Sequence, residues 1–261
     1  MPISPEHKEL LSAQTESKTL KEWTEFFDGL YTYKQIEGYV RHNGLKARKM
    51  TKEEFSALQS KRARKYHINQ DYFKTWSRNM AYIFGLWCAD GCIYGGKMFD
   101  ITLHTKDKYI LQQVKKELEY EGNLYDYVDR QAARLNFSCV VIYKDIVALG
   151  GKEAKSKDLV FPNVPEEYLP DFIRGFFDGD GSIWNIKGGR INTAFACASE
   201  NFIYPLWNIL KEKAGIQGGS YSKNNISLRF GKRDSILLGK YMYQNNPEIF
   251  LKRKRDKFPL D

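Results

Sequence analysis

The sequence predicts an α+β protein made of two αββαββα repeats that follow a small helical module. Three observations support this class. The nine residues from Ile83 to Gly91 recur in similar form from Ile173 to Gly181, which separates Asp90 from Asp180 by 180 − 90 = 90 residues. Runs of alternating apolar and polar residues follow each copy, and apolar residues recur at helical spacing near the N-terminus. A spacing of 90 residues is too long for a solenoid and suits two copies of a small domain.

The sequence pattern of the N-terminal module predicts two short helices joined by a tight turn. Residues 1–18 are polar and lack a helical period, so we expect an irregular start. One helix from Thr19 ends at Asp28-Gly29, and a second from about Thr32 ends at Asn43-Gly44. The apolar positions are Leu20, Trp23, Phe26, Phe27, Ile36, Tyr39 and Val40. This pattern fits a helix-turn-helix and fits an ordinary helical hairpin equally well. In the first case the groove-facing side chains are Tyr31, Tyr33, Lys34, Gln35 and Arg41.

A strongly basic stretch follows this helix pair. Nine Lys and Arg residues lie between positions 41 and 65, against only Glu53 and Glu54. A solvated helix face usually mixes signs more evenly, so the stretch is interpreted as a contact to phosphates. The candidates in the module are Lys34, Arg41, Lys46, Arg48, Lys49, Arg62 and Arg64. The predicted domains are a module at 1–65, an aromatic linker at 66–79, and repeats at 80–165 and 166–261.

The sequence of each repeat predicts a four-stranded antiparallel sheet with helices on one face. The first repeat has a helix ending at Asp90, strands at 91–94 and 97–104, a helix at 106–120, strands at 123–130 and 134–143, and a helix at 145–149. The second has a helix at 170–180, strands at 181–186 and 190–197, a helix at 199–214, strands at 216–222 and 225–230, and a helix at 233–244.

The two repeated helices carry small residues one turn apart. Gly85 pairs with Ala89, and Gly175 pairs with Gly179, each on one helix face. Glycine inside a helix costs roughly 0.5–1 kcal/mol relative to alanine, so these positions indicate close packing against another backbone. The natural partner of each helix is the other copy.

The acids that end these helices predict a metal site. Asp90 and Asp180 lie at helix C-termini, where the macrodipole is already negative. Two such carboxylates brought together require a raised pKa or a bound cation. Oxygen ligands without a His or Cys cluster favour Mg²⁺, and the last helical carbonyls, at Ala89 and Gly179, are further candidate ligands.

The repeated motifs resemble those of the LAGLIDADG homing endonucleases in their single-chain, two-repeat form, over residues 79–261. One departure is Cys88, where the family often has an acid and the second copy has Asp178. The resemblance implies a saddle-shaped monomer that binds a long, asymmetric double-stranded DNA target. It also implies a staggered double-strand cut that depends on Mg²⁺ or another divalent cation such as Mn²⁺.

The resemblance also implies a lysine and a water-positioning residue in each active site. Lys155 and Lys254 match the lysine, with Lys157 and Lys252 as rivals. Thr105 and Ser199 match the water-positioning residue, although both are equally well explained as helix N-caps.

The polar faces of the predicted strands are the expected DNA surface. Apolar residues such as Phe99 and Ile101 alternate with polar ones, so one sheet face packs on helices and the other is wet. By resemblance, the wet faces lie in the major groove. The candidate contacts are Lys97, Asp100, Thr102, His104, Arg130, Arg134, Asn136, Ser138, Lys187, Arg190, Asn192, Lys223, Asn225, Ser227 and Arg229.

Composition agrees with a polyanionic partner inside the cell. The chain has 41 Lys and Arg against 32 Asp and Glu, a net charge of +9. No apolar run is long enough to span a membrane, and the first residues do not form a signal peptide. The cysteines, Cys88, Cys92, Cys139 and Cys197, make no CxxC pair, and we expect reduced thiols in a cytoplasmic or organellar protein.

Two other functions use the same scaffold. A non-cleaving DNA-binding regulator would not need Asp90 and Asp180, which are both present. A maturase that binds intron RNA during splicing is not separated from an endonuclease by sequence, and one protein can do both.

Overall fold

The computed structural model describes residues 2–55, 65–186, 190–224 and 226–260. The chain divides into two compact units, Met1–Arg64 and Lys65–Asp261. Among the described helices, none is long and apolar enough to cross a membrane.

The described part of the first unit includes helices α1 (Pro5–Gln14), α2 (Leu20–Phe26) and α3 (Tyr33–His42). They enclose a small core of Ile3, Leu11, Trp23, Phe27, Tyr31, Ile36 and Val40. The prediction of an irregular start was wrong, because α1 lies within residues 1–18. The Ser4 side chain accepts a hydrogen bond from the His7 backbone and Pro5 begins the helix. One fully buried side chain, Leu11, anchors α1 to the core.

The predicted pair α2 and α3 is present with its turn. Thr19 and Thr32 each form a capping box, with Glu22 and Gln35 respectively. Asp28 and Gly29 both have positive φ, 51° and 74°, which reverses the chain after α2.

Two side chains of this pair lie where the sequence did not predict them. Phe26, one of the apolar positions at helical spacing, is 53% exposed. Tyr31, predicted to face a DNA groove, is buried, and its hydroxyl accepts from the Ser4 backbone and contacts His7. A buried tyrosine whose hydroxyl has hydrogen-bond partners is a core residue rather than a ligand contact.

The second unit contains both repeats, which confirms the predicted α+β class with two four-stranded antiparallel sheets. The first repeat consists of α4 (Arg78–Asp90), β1 (Gly91–Tyr94), β2 (Met98–His104), α5 (Lys108–Glu117), β3 (Tyr125–Tyr127), β4 (Ala132–Ser138) and α6 (Val140–Ala148). The second consists of α7 (Leu169–Asp180), β5 (Gly181–Ile186), β6 (Arg190–Ala196), α8 (Glu200–Ala214), β7 (Ser220–Ser222), β8 (Ser227–Phe230) and α9 (Lys232–Met242), followed by α10 (Lys252–Arg255).

The two sheets have the same strand order, β1-β2-β4-β3 and β5-β6-β8-β7. Helices cover the inner face of each sheet, and a single hydrophobic core runs through both repeats from Ile68 to Phe258. Helices α4 and α7 pack side by side in the centre of this unit. Each therefore ends at the junction between the two sheets.

Several predicted strand boundaries were wrong. The strands predicted at 123–130 and 216–222 are limited to Tyr125–Tyr127 and Ser220–Ser222. The segment 140–143 begins helix α6 instead of ending β4, because the apolar run Val140–Ile142 continues with helical spacing to the buried Ile146. Ile226, predicted to alternate toward the core with Leu228, is 47% exposed and has φ +42° in the turn before β8.

Candidate functional site

The centre of the second unit is a close contact between the backbones of α4 and α7. A Cβ atom added to Gly85 would lie 2.0 Å from the Phe172 carbonyl oxygen, and one added to Gly175 would lie 2.0 Å from the Tyr82 carbonyl oxygen. Real Cβ atoms do not approach so closely, so glycine is required at both positions.

The contact continues to the helix ends, where the acids lie. A Cβ added to Gly179 would lie 2.3 Å from the Ala89 Cβ and 2.8 Å from an Asp90 carboxylate oxygen. Because Gly179 directly precedes Asp180, the small residues bring the two terminal carboxylates to one place.

The two carboxylates destabilise each other's charge. Although Asp90 is exposed on one side, the surrounding protein atoms partly desolvate it and Asp180 adds a negative charge, and the two effects raise its pKa to about 6. Burial also raises the pKa of Asp180, while the charges of Lys155 and Lys254 oppose this shift. A divalent cation between the helix ends would relieve this repulsion.

Lys254 of α10 lies against the end of α7. It is only 4% exposed, and its Nζ donates to the carbonyl oxygens of Phe177 at 2.7 Å, Asp178 at 2.6 Å and Gly179 at 3.3 Å. The last carbonyls of a helix have no intrahelical partner, so the ammonium group caps α7. Burial lowers the pKa of Lys254 to about 8.

Lys155 takes the matching position in the first repeat. It is 7% exposed, its Nζ donates to the Gly91 carbonyl oxygen at 2.5 Å, and it lies 5.1 Å from the Trp87 ring centroid. Burial lowers its pKa as well. The rival lysines, Lys157 and Lys252, are exposed. The structure therefore places one buried lysine beside the C-terminus of each central helix.

Sequence reasoning missed a buried acid that supports only one of these lysines. The Asp178 carboxylate is 1% exposed and accepts from the Tyr82 hydroxyl at 2.8 Å and from the Leu251 backbone at 2.7 Å. Leu251 is the N-cap of α10, so Asp178 anchors the helix that carries Lys254. The first repeat has buried Cys88 at this motif position, and that departure was the available signal.

A second missed feature joins the repeats next to Lys254. The guanidinium of Arg253 binds the Asp107 carboxylate through two nitrogens, at 2.9 Å from Nε and 2.7 Å from Nη2. Asp107 is buried, and this bidentate geometry is among the stronger ion pairs. It holds α10 against the first repeat.

The two water-positioning candidates lie in unlike surroundings. Ser199 is buried and donates to the Leu159 carbonyl oxygen at 2.6 Å. Thr105 is exposed, and its backbone donates to Gln131 at 2.8 Å. Within the described residues, neither side chain has a hydrogen bond to Asp90 or Asp180.

The polar candidates on the first sheet share its outer face, as the strand register requires. Asp100 is nearly buried there and binds Arg134, Asn136 and Thr102. Tyrosine hydroxyls of Tyr94 and Tyr127 contact Arg134, each at 3.2 Å. The other candidates of this repeat, all exposed, are Lys97, His104, Arg130 and Ser138.

The outer face of the second sheet is more open. Arg229 extends its Nε to the Ser227 hydroxyl at 3.0 Å, and Asn192 lies on the same face. Arg190 begins β6 at the rim. At the far edge Lys223 pairs with Glu200 at 2.8 Å. Lys187 and Asn225 lie outside the described residues.

The basic candidates of the N-terminal unit divide into two groups. Arg48 is held between Glu22 and Glu54, at 2.8 and 3.0 Å. The exposed cations are Lys34, Arg41, Lys46 and Lys49. Arg62 and Arg64 lie outside the described residues.

The donor set at the helix ends suits a hard cation. No group of three or more His, Cys, Asp or Glu residues forms a metal cluster in the described part of the chain. Two carboxylates and adjacent helical carbonyls remain, and water completes such a set around Mg²⁺. The residues therefore fit a divalent cation that keeps several waters, with Asp90 and Asp180 as its charged ligands.

Fold and site together define a two-repeat protein with paired acidic helix ends beneath two antiparallel sheets. A family model described as LAGLIDADG-like domain matches residues 77–143 and 167–241, more than half of the chain. The chain belongs to the LAGLIDADG-like domain family. A search of curated proteins found no match.

The chain is similar to solved structures of homing endonucleases. I-WcaI bound to its DNA recognition sequence is 13% identical, with a TM-score of 0.50 over 74% of this chain and 92% of that chain. I-LtrWI bound to target DNA is 14% identical, with a TM-score of 0.45 over 72% and 88% of the two chains. I-SmaMI bound to uncleaved DNA in the presence of calcium ions is 10% identical, with a TM-score of 0.45 over 70% and 88%.

Proposed function

We propose that this protein is a site-specific DNA endonuclease that makes a divalent-metal-dependent, staggered double-strand break in a long, asymmetric target. The observation that carries the proposal is the pair Asp90 and Asp180 at converging helix ends, with one buried lysine beside each end. Membership of the family and the DNA-bound relatives support the same function.

The proposed site is suited to phosphodiester hydrolysis. A water must attack the phosphorus in line with the leaving oxygen, and the pentacoordinate phosphorane carries extra negative charge. A bound Mg²⁺ supplies charge stabilisation and an acidified water. Asp90 and Asp180 would hold the cation, while Lys155 and Lys254 supply positive charge from buried positions.

The two repeats provide two similar halves within one chain. Each half contributes one acid, one lysine and one sheet, so a single chain can act on both DNA strands as a monomer. The outer faces carry different side chains in the two sheets, which predicts different half-sites and hence an asymmetric target.

The proposed test compares the unaltered protein with Asp90→Asn and Asp180→Asn on DNA selected from a randomised pool. Each variant is expected to retain binding and to lose most cleavage, since the amide keeps the shape but not the charge of a metal ligand. Chelation of Mg²⁺ should abolish cutting by the unaltered protein. Cleavage of both strands at the unaltered rate by either variant would refute the metal-binding role.

A further inference from the structure

The outer face of the first sheet contains a carboxylate that is closed off from solvent. Asp100 is only 3% exposed although it lies in the middle of a polar face. Its Oδ1 accepts from the Thr102 hydroxyl at 3.1 Å, and its Oδ2 accepts from Arg134 and from the Asn136 amide at 2.9 Å. An acid on a surface proposed to meet a polyanion therefore acts on its neighbours and not on the DNA.

Asp100 determines which way the Asn136 amide points. An ionised carboxylate only accepts hydrogen bonds, so the Asn136 atom beside it must be the NH₂ group. The Phe99 carbonyl oxygen and the Tyr94 hydroxyl lie 3.3 and 3.2 Å from the same nitrogen, but these uncharged partners bind more weakly than the carboxylate. The amide oxygen is left facing the other way. Among the described residues, no group donates to that oxygen.

Asp100 also engages Arg134, a cation on the same face. Arg134 donates to it from Nε and pairs with it through Nη2, while its remaining contacts reach Tyr127 and Tyr94. Most of its N–H groups are therefore already used. Arg134 presents little free donor capacity to a DNA base.

The second sheet provides the contrast within the same molecule. In the first sheet Asp100 of β2 pairs with Cys92 of β1, the strand that follows the motif. In the second sheet the equivalent pair is Ala194 of β6 with Ser182 of β5. The residue across from Ala194 is Arg229, whose contact in the described structure is the Ser227 hydroxyl. Arg229 can therefore present hydrogen-bond donors to the outside. At the equivalent position of the first sheet, Asn136 presents an acceptor, its amide oxygen.

We propose that Asp100 is a positioning residue that sets base preference in the first half of the target by holding Asn136 with its amide oxygen outward. This inference rests on the proposed function. In the major groove only adenine N6 and cytosine N4 donate hydrogen bonds, whereas guanine and thymine present acceptors. An outward acceptor therefore selects adenine or cytosine over guanine or thymine at one position of one strand.

The test is selection of bound sequences from a randomised DNA pool by full-length protein in Ca²⁺, with three variants run in parallel. Asp100→Asn leaves the Asn136 amide free to flip, and Asn136→Ala removes it. Both should lose roughly tenfold of the preference for adenine or cytosine at the same single position. Asp126→Asn is the matched control, since it removes the same charge from the first sheet where Asp126 pairs with Lys108.

The outcomes separate this inference from the proposal it rests on. The circular dichroism spectrum and Tm of each variant establish that it is folded, and Asn136→Ala keeps the Asp100–Arg134 pair if Asp100→Asn fails to fold. An unchanged preference in a folded Asp100→Asn or Asn136→Ala protein, or changes at different positions in the two, would overturn the inference alone. Enrichment of no sequence by the unaltered protein would overturn both DNA binding and the inference.

Discussion

At the scale of single residues, the raised pKa of Asp90 predicts how stability and activity depend on pH. Its pKa is raised to about 6 in the folded protein, from 3.8 for an ordinary aspartate, by partial desolvation and by Asp180. A raised carboxyl pKa means that folding disfavours the charged form. The free energy of unfolding therefore falls as pH rises from about 4 to 6, and the penalty persists above pH 6.

We predict that Asp90→Asn makes the metal-free protein more stable than the unaltered chain above pH 6, with little difference near pH 4. The asparagine removes the charge that the folded state disfavours, as stabilising changes at active sites often do. Thermal unfolding with a chelator, at pH 4.5 and 7.5, measures this. A variant destabilised equally at both values would show that Asp90 is not under electrostatic strain.

The same pKa predicts the pH profile of the reaction. Cleavage efficiency, kcat/KM, should fall as pH decreases through about 6, because protonated Asp90 cannot bind a cation. Asp180→Asn removes one cause of the shift, so the midpoint of divalent-cation binding by that variant should move to lower pH. Cleavage kinetics between pH 5 and 8 check the first statement, and titration of Mn²⁺ binding over the same range checks the second. A binding midpoint that stays in place would contradict the coupling.

The two buried lysines should contribute unequally to stability. Lys254→Met removes the ammonium donor from the Asp178 and Gly179 carbonyls and a positive charge from beside buried Asp178. The Phe177 carbonyl keeps the Gly181 backbone donor, and Lys155→Met removes a donor only from the Gly91 carbonyl. An unsatisfied buried polar group costs about 1–3 kcal/mol, so Lys254→Met should be the more destabilising by at least about 1 kcal/mol. Urea unfolding measures the difference, and equal losses would mean that Asp178 and the additional carbonyls contribute nothing.

At the scale of elements, the contact between α4 and α7 decides where the acids lie. The added Cβ of Gly175→Ala would fall 2.0 Å from the Tyr82 carbonyl oxygen, so the helices must separate. Overpacking of this kind costs about 1–3 kcal/mol, and the displaced helix ends should also reduce cleavage.

The matched control is the same substitution in an open position. Gly38 lies in α3, and an added Cβ would meet nothing within 4 Å. Gly38→Ala should therefore leave stability unchanged or raise it by about 0.4–1 kcal/mol. Calorimetry of both variants tests the contrast, and a Gly175→Ala protein of unaltered Tm would argue against a close helix contact.

At the scale of the whole molecule, the N-terminal unit is predicted to add phosphate contacts to those of the sheets. Neutralising its exposed cations should weaken DNA binding uniformly across sequences and flatten the salt dependence. The log–log slope should fall by about 0.9 for each phosphate that the protein no longer neutralises. The quadruple variant carries Lys34→Gln, Arg41→Gln, Lys46→Gln and Lys49→Gln.

A control with the same charge change distinguishes a specific surface from net charge. It carries Lys116→Gln, Lys144→Gln, Lys232→Gln and Lys240→Gln, on the helices that cover the inner faces of the sheets. Filter binding at several salt concentrations gives both slopes. If the two quadruple variants lower the slope equally, the N-terminal unit makes no particular phosphate contacts.

The sequence by itself determined the duplication, the element order and the central helix pair. Each copy of the motif, the alternation along each strand and the small residues one turn apart are patterns among near neighbours in the chain, so they can be recognised without the tertiary structure. The same signals failed at α1, where Leu11 is held by residues distant in sequence, and at Phe26, whose helical spacing did not guarantee burial.

Only the tertiary structure decided how equivalent positions differ between the repeats. In the second repeat Asp178 anchors the helix that carries Lys254, whereas the first repeat has Cys88 at that motif position beside Lys155. In the first sheet Asp100 is buried against Arg134. In the second sheet Ala194 takes the place of Asp100, so Arg229 has no carboxylate opposite it. The physical reason is that the exposure and hydrogen bonds of a side chain depend on groups from other strands and helices. Those groups meet only after the strands and helices have packed together.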